Sequence, residues 1–298
     1  MSQKYGGDKE HFSITKLLQA RNVNLRVPTS PTERFTSRVE AYRKYRPHYP
    51  KAVIETLRER TGLEPSHIIA DVGSGTGISS ELFLDNGNFV YGIEPNKAMR
   101  EAGEVYLSSY KNFRSINGTA EATALPDRSV DYVIAGQAFH WFDAPRAERE
   151  FRRILKPGGW AVILWNDREF DTTPFLRDYE QLLLDFGTDY VQVNHRNVVI
   201  TSTSPDTNIS SSNATRTIDF FHGTPVLELK FDNTQVLDYE SLEGRLLSSS
   251  YLPNHDSSNY SAMLARLREI FNRHAAKGVV EMRYQTLCYA GQFSPAGN

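Results

Sequence analysis

Short apolar runs alternate along the chain with stretches that have helical periodicity, and this pattern predicts an α/β fold. Apolar runs separated by helices are typical of buried parallel strands. Near the C-terminus, alternating apolar and polar residues predict a further strand that runs antiparallel to the others. The sequence thus favours a doubly wound, mostly parallel sheet of seven strands with an antiparallel last strand. The predicted strands occupy residues 68–72, 89–93, 113–116, 131–135, 160–165, part of 220–237, and 279–289. Residues 156–159, KPGG, are predicted to form the turn before the fifth strand.

The first predicted strand ends in a run of alternating glycines. Residues 68–77 read IIADVGSGTG, so the glycines follow Asp71 at every second position. Glycine permits a sharp turn and lets backbone N–H groups approach a ligand without an obstructing Cβ. The second strand closes at Glu94, where a carboxylate can accept hydrogen bonds from two ribose hydroxyls. Together these features predict a nucleotide-binding βαβ unit.

The glycine spacing discriminates between nucleotides. A dinucleotide site requires a glycine at position 78, where this chain has Ile78, and a phosphate loop requires a following Gly-Lys-Ser/Thr, which is missing. An acidic residue before the glycine run suits a ligand with a cationic amino-acid end and no phosphate. S-adenosylmethionine is one ligand of this kind.

With these residues the chain resembles the class I S-adenosylmethionine-dependent methyltransferases. It looks closest to the type 11, small-molecule group that includes trans-aconitate methyltransferase-like proteins. The resemblance covers roughly positions 35–166 and implies a Rossmann-like fold, S-adenosylmethionine as cofactor and methyl transfer as the reaction. Besides the glycine run it is carried, in order, by YRKYRPHYP at 42–50, AE at 120–121, DYVI at 131–134, AFHWFD at 138–143 and LKPGG at 155–159.

The resemblance also implies which residues bind the cofactor. Tyr42 and Arg46 would cover its methionine end, although packing of the first helix explains them equally well; for Tyr49 packing is favoured. Met99 would lie on the purine, and the pair at 120–121 would bond the adenine edge. The full predicted set is Tyr42, Arg46, Asp71, Gly73, Ser74, Gly75, Gly77, Glu94, Pro95, Met99, Ala120, Glu121, Gln137 and Ala138.

Residues 137–141 leave the fourth strand beside the glycine run, which places them at the predicted reactive end of the cofactor. His140 is a candidate general base, because a histidine can accept a proton at neutral pH. It can equally be a fixed wall of the pocket. Trp141 and Trp165 are predicted to line the substrate pocket. A carboxylate acceptor needs no base, whereas a hydroxyl or an amine would use His140.

The chain is predicted to have three parts. Residues 1–32 form a flexible N-terminal extension, and residues 33–169 with 217–298 form the methyltransferase domain. Residues 170–216 interrupt the α/β pattern and are rich in Ser, Thr and Asn from 194 onward. Because lids in such folds carry specificity, we expect an inserted lid or substrate-recognition segment there.

Composition and residue spacing limit the kinds of molecule that the chain is expected to bind. A net charge of -2 without a basic block gives no reason to expect nucleic acid. The apolar runs are far short of a membrane span, and the N-terminus lacks a secretory apolar region. The single cysteine, Cys288, cannot form an internal disulfide, which favours a cytoplasmic location. The eight histidines and this cysteine show no metal-ligand spacing.

The sequence therefore predicts an enzyme that methylates a small molecule, most readily a carboxylate or a hydroxyl. Two alternatives remain open: a methyltransferase acting on a lipid or a protein, and a noncatalytic module that binds S-adenosylmethionine. A nicotinamide oxidoreductase is disfavoured by Ile78. The acceptor atom and the oligomeric state are not determined by the sequence.

Overall fold

The structure is a computed structural model that describes residues 43–187, 217–249, 251–253 and 255–294. Its strands and helices follow the predicted alternation. The strands are β1 (Ile68–Val72), β2 (Phe89–Ile93), β3 (Phe113–Ile116), β4 (Val130–Gly136), β5 (Leu155–Arg168), β6 (Val226–Leu237) and β7 (Val280–Gly291). The helices are α1 (Ala52–Thr61), α2 (Ile78–Asp85), α3 (Lys97–Tyr106), α4 (Ala144–Ile154), α5 (Pro174–Phe186), α6 (Tyr239–Leu247) and α7 (Tyr260–His274), with a 3₁₀ turn at Phe139–Trp141.

The strands form one sheet in the order β3-β2-β1-β4-β5-β7-β6. Strands β1 to β5 pair in parallel, and β7 runs antiparallel between β5 and β6. The predicted seven-stranded sheet with an antiparallel last strand is confirmed. Because β1 lies in the middle with β2 and β4 on either side, the carboxyl ends of these strands meet at one edge, where open α/β sheets bind ligands.

Three apolar clusters hold the fold together. Two lie on the opposite faces of the sheet, as the continuous apolar strands require. The third joins α5, α6 and α7 to the last strand and contains Tyr179, Leu246 and Tyr284. Helices α5, α6 and α7 therefore form, with strands β6 and β7, one packed layer, which we call the C-terminal layer.

The start of β5 differs from the prediction. Residues 156–159 were expected to form a turn before the strand, but the strand already begins at Leu155. The pairing register shifts there, since Val130 pairs with Leu155 whereas Tyr132 pairs with Trp160. The extra residues bulge out of the ladder, and Gly158 adopts a left-handed φ of 79°. A bulge explains why the glycines did not end the strand.

The predicted extension at 1–32 lies outside the described residues. The predicted insertion at 170–216 is described as far as residue 187. Its described part contains α5, whose Tyr179, Leu182 and Leu183 are buried in the third apolar cluster. These contacts make α5 a packed helix of the C-terminal layer, and the division into three parts stays a prediction.

Glu150 of α4 fixes the loop that follows β3. Its Oε1 accepts hydrogen bonds from the backbone N–H and the hydroxyl of Thr123 at 2.8 and 2.6 Å. Arg153 donates to both carboxylate oxygens at 2.7 and 2.8 Å. Burial opposes ionisation, but the hydrogen bonds from Arg153 and Thr123 outweigh it and lower the pKa of Glu150 to about 2.

We therefore expect Glu150→Gln to lower the free energy of unfolding at about pH 7 by about 1–3 kcal/mol, because charge-assisted hydrogen bonds are lost. A lowered folded-state pKa contributes stability above the unfolded pKa, and this contribution disappears as the pH falls from 4.5 toward about 2. Urea titrations at both ends of this range measure the difference. Glu101→Gln, in an exposed pair with Lys97, is the control and should change stability little. Equal effects of the two substitutions at neutral pH would contradict the anchoring role.

Candidate functional site

An open cavity lies at the carboxyl ends of β1, β4 and β5. Its walls are the glycine run, the first turn of α2, Gly136 at the end of β4 with the following Gln137, Asn166 of β5, and the segment from Arg46 to Tyr49. Most of these residues come from the region whose motifs predicted a cofactor site. The cavity is therefore the candidate site for cofactor and acceptor.

The glycine run is held in a conformation that other residues rarely adopt. Gly73, Gly75 and Gly77 have φ values of 71°, 56° and 93°. The N–H groups of Gly73 and Ser74 both donate to the carbonyl of Ile93, at 2.8 and 3.1 Å. These bonds fasten the loop to the end of β2.

The space around the glycines is as restrictive as their backbone. A Cβ on Gly73 would lie 2.5 Å from Cβ of Ala138, and one on Gly77 would lie 2.6 Å from Cδ1 of Leu107. A Cβ on Gly75 would approach Cε of Met99 to 3.3 Å. The predicted neighbours Ala138 and Met99 are thus both at the glycine run, one from the β4 side and one from α3.

Asp71 is a completely buried carboxylate at the end of β1. Its Oδ2 accepts hydrogen bonds from the hydroxyls of Ser79 and Ser80 at 2.7 and 2.6 Å. Its Oδ1 is buried and has no hydrogen-bond partner among the described residues. Burial raises the pKa of Asp71 to about 6. Because Ser79 lines the cavity, this half-satisfied carboxylate lies one side chain away from it.

Glu94 is a second buried carboxylate, at the end of β2. Its two oxygens accept from the N–H groups of Gly75 at 2.9 Å and Asn96 at 2.8 Å. Burial raises the pKa of Glu94 above its usual value. Asn96 in turn caps α3 by accepting from the N–H of Met99. The predicted ribose-binding carboxylate is therefore fixed between the glycine run and the helix that carries Met99.

The residues predicted at the adenine end lie in two different environments. Met99 and Ala120 are buried, and Pro95 is exposed beside Glu94. Glu121 accepts a hydrogen bond from the N–H of Asp143 at 3.0 Å, next to the start of α4. Its carboxylate therefore supports that helix, and a role toward adenine stays a prediction.

Gln137 forms the turn after β4. It is not a glycine, yet its φ is 57°, and such strain is concentrated at functional sites. Its N–H donates to the carbonyl of Leu164, and its Nε2 donates to the carbonyl of Asn166 at 3.0 Å. These bonds to β5 fix Gln137 in the cavity wall, as the sequence predicted.

His140 lies between two tryptophans. Its ring centroid is 4.5 Å from that of Trp141 and 5.4 Å from that of Trp165. Trp141 is 44% exposed, whereas Trp165 is buried in the core and supports His140 from behind. Neither tryptophan lines the described cavity, so their predicted contact with a substrate remains untested.

The segment from Arg46 to Tyr49 crosses the cavity and is held from the C-terminal half. Asn166 donates to the carbonyls of Pro47 and His48 at 3.2 and 3.3 Å, and Asn233 donates to that of His48 at 2.7 Å. Tyr49 is buried in the core and also lines the cavity, so packing and site contact coexist. Tyr42 lies outside the described residues.

Several cavity residues lie outside the sequence-based set, among them Thr76, Ser79 and Asn166. Thr76 has a buried hydroxyl without a partner among the described residues, and Ser79 binds Asp71. Asn166 fastens the crossing segment. The position of Thr76 inside the glycine run is a usable signal, whereas the contacts of Ser79 and Asn166 depend on the folded arrangement.

No cluster of three or more potential metal ligands occurs in the ranges that the structure describes. Within the same ranges no helix is long and apolar enough to cross a bilayer.

The close contact of Gly73 with Ala138 leads to a stability prediction. Gly158→Ala adds a Cβ at a similar φ with nothing within 4 Å, so it should cost only backbone strain of about 1–2 kcal/mol. Gly73→Ala adds the same strain and a 2.5 Å clash, and should cost about 1–3 kcal/mol more. Thermal and urea unfolding of the two variants measure this difference. Equal losses would show that the glycine run tolerates a Cβ.

Comparisons with known proteins agree with the geometry. The family model for a methyltransferase domain matches residues 70–163. An uncharacterised methyltransferase-like protein of Schizosaccharomyces pombe is 24% identical over 88% of this chain and 96% of its own length. An uncharacterised methyltransferase of Mycobacterium tuberculosis is 35% identical, but the match covers 45% of this chain and 53% of the relative.

A solved structure of a candidate type II methyltransferase from Anaeromyxobacter dehalogenans shares the fold with a TM-score of 0.62. It is 22% identical and covers 84% of this chain and 99% of its own. The region matched by the family model runs from β1 into β5 and includes the glycine run, Glu94 and the wall at 137–141. Residues 70–163 thus match the methyltransferase domain, and the chain is similar to methyltransferases in sequence and fold.

Proposed function

We propose that this chain transfers a methyl group from S-adenosylmethionine to an oxygen of a small molecule, either a carboxylate or a hydroxyl. The observation that carries the proposal is Asp71, a buried carboxylate with one unpartnered oxygen beneath the glycine run. A buried carboxylate in this state favours a cationic ligand group over a phosphate. The ammonium of an amino-acid-bearing nucleoside satisfies that requirement, directly or through water.

The residues present fit this cofactor. The glycine run and Ser74 offer backbone at close approach, and Asp71 supplies negative charge for the methionine end. We assign the ribose to Glu94, which binds the N–H of Gly75, and the adenine to the side of the loop where Met99 lies beside Gly75. We assign the covering role over the methionine end to Arg46 and Tyr42. Pro95, Ala120, Glu121, Gln137 and Ala138 complete the proposed set.

When bound, S-adenosylmethionine supplies a methyl group that the positive charge on sulfur has already activated. The protein therefore has to hold the acceptor in line and exclude water. Gln137, fixed by its bonds to β5, and the segment 46–49, fixed by Asn166, provide rigid walls for this purpose. Rigid walls reduce the number of unproductive acceptor orientations.

His140 has a role that depends on the acceptor. A carboxylate is already a nucleophile, so His140 would act only as a wall, held between the rings of Trp141 and Trp165. A hydroxyl must lose a proton, and His140 would then be the base. One relative, 29% identical over 44% of this chain and 49% of its own length, is a malonyl-[acyl-carrier protein] O-methyltransferase of Marinomonas. Its name supports oxygen as the acceptor atom.

We further propose that acceptor recognition involves the C-terminal layer. The described part of the predicted insertion, α5, packs against α6 and α7. The same layer fixes the segment 46–49 through Asn233 and Ser248. Sequence differences in this layer would therefore alter the acceptor side of the cavity while the glycine run stays unchanged.

The affinity for S-adenosylhomocysteine should depend on pH through Asp71. Because the pKa of Asp71 is raised to about 6, the carboxylate is largely protonated at about pH 5, and affinity should rise as the pH increases toward 7.5. Asp71→Asn keeps an acceptor for the two serines but removes the charge. It should weaken binding at about pH 7.5 roughly 10-fold or more and remove most of the rise. Calorimetric titration across this range measures both effects.

In the ligand-free protein, ionisation of Asp71 should instead lower the free energy of unfolding as the pH increases. Because the pKa of Asp71 is raised in the folded state, its contribution to the free energy of unfolding is present below pH 3.8 and is lost as the pH rises through about 6. Asp71→Asn should thus gain stability relative to the wild type with increasing pH. Asp85→Asn at the end of α2, where Asp85 accepts a hydrogen bond from the hydroxyl of Tyr110, is the control and should not change ligand affinity. Unchanged affinity and pH profile in Asp71→Asn would overturn the assignment.

The reaction itself is tested by incubating the protein with methyl-labelled S-adenosylmethionine and panels of small carboxylic acids and alcohols. We expect label in an ester or ether of a small molecule. Label found only in protein or lipid would contradict the proposed acceptor class. Tight cofactor binding without transfer to any acceptor class would instead favour a noncatalytic binding module.

A further inference from the structure

Arg245 of α6 is a buried cation without a counter-ion. The residue is 6% exposed, and none of its contacts within the described residues is an ion pair. Its Nε donates to the hydroxyl of Tyr284 at 3.0 Å. Its Nη1 has only long contacts, 3.5 Å to the hydroxyl of Ser248 and 3.4 Å to that of Ser249. Ordinary N–H···O bonds are shorter, so this side of the guanidinium is poorly satisfied.

The described residues around Arg245 offer no negative charge to pair with its guanidinium. A guanidinium stays protonated in proteins, and a buried charge is normally paired. Tyr179 lies nearby, but burial raises the pKa of its hydroxyl far above physiological pH, so it stays neutral. Arg168 is a useful contrast, because it lies over the ring of the same tyrosine and forms an ion pair with Glu180. The layer therefore provides a carboxylate for one arginine and leaves the other without one.

Arg245 is coupled to the wall of the cavity by two short paths. Ser248 joins it to Arg46, since its hydroxyl is near Arg245 and its carbonyl accepts from Nη2 of Arg46 at 3.0 Å. The hydroxyl of Tyr284 donates to Gln235, whose Nε2 donates to the carbonyl of Tyr45 at 3.1 Å. Arg46 lines the cavity beside the glycine run. The unpaired guanidinium is thus one residue behind the acceptor side of the site.

We infer that Arg245 is a recognition residue that binds a carboxylate group of the methyl acceptor. A guanidinium pairs with a carboxylate through two parallel N–H···O bonds, which would give short partners to a group whose Nη1 now has only long contacts. The inference rests on the proposed function, because the carboxylate is taken to belong to the methyl acceptor. It narrows the acceptor to a carboxylic acid. Tyr284, which contacts Arg245, and the adjacent Leu246 belong to the third apolar cluster, which suits an acid with a hydrocarbon body.

Acetate is the smallest probe for this site. Wild-type protein is melted in increasing sodium acetate, with sodium chloride at equal ionic strength and acetamide as the uncharged analogue. We expect about 100 mM acetate to raise Tm by about 2 °C relative to chloride, and acetamide to have no effect. Arg245→Met, of similar length but uncharged, should lose the acetate response. Arg266→Met, which removes an exposed arginine paired with Glu269, should keep it.

A second variant guards against misfolding of Arg245→Met. Arg245→Lys retains the charge but not the two-pronged geometry, and its acetate response should fall at least roughly threefold. Equal acetate responses in wild type, Arg245→Met and Arg245→Lys would overturn the inference. So would an acetate effect in wild type no larger than that of acetamide, whatever the variants do.

Titration of the same wild-type samples with S-adenosylhomocysteine separates this inference from the proposed function. Binding of S-adenosylhomocysteine without an acetate response at Arg245 refutes only the recognition role. An acetate response at Arg245 in a protein that does not bind S-adenosylhomocysteine refutes the proposed function and leaves an anion site of another purpose.

Discussion

The absence of a Cβ at three positions is the constraint on which the site depends. Gly73, Gly75 and Gly77 turn the chain from β1 into α2 with left-handed φ angles, in space that Ala138, Met99 and Leu107 already border. The turn brings backbone N–H groups to the sheet edge and leaves room for a ligand. It also brings Asp71 and Glu94, from neighbouring parallel strands, to the same loop. The turn from β1 into α2 and the proposed cofactor site therefore both depend on these three glycines.

The two halves of the chain contribute differently. Strands β1 to β4 supply the glycine run and the buried carboxylates, which concern the cofactor. Strands β6 and β7 with α6 supply Asn233 and Ser248, which fix the segment 46–49 over the cavity. Arg245 belongs to the same half, so the proposed recognition of the acceptor's charge and the support of the segment 46–49 come from one layer. This division lets the acceptor side change without disturbing the cofactor side.

Much of the fold was predictable because buried parallel strands are continuous apolar runs. The predicted first and last residues of β1 and β2 are those that the structure shows. The Lys156–Gly159 stretch was misinterpreted, since glycines mark bulges as well as turns. In the site, residues adjacent in sequence to a glycine or a strand end were predictable. The contacts of Ser79 with Asp71, of Asn166 with the segment 46–49, and of Arg245 with Tyr284 were not, because they depend on side chains brought together from distant positions.

The central claim is that the buried carboxylates and the glycine run select an amino-acid-bearing nucleoside over a dinucleotide. Calorimetric titration of the wild-type protein with S-adenosylhomocysteine and, under identical conditions, with NAD⁺ tests it most directly. The account predicts saturable, one-to-one binding of S-adenosylhomocysteine and no measurable binding of NAD⁺. Binding of NAD⁺ with equal or higher affinity, or no binding of S-adenosylhomocysteine by a folded sample, would contradict it.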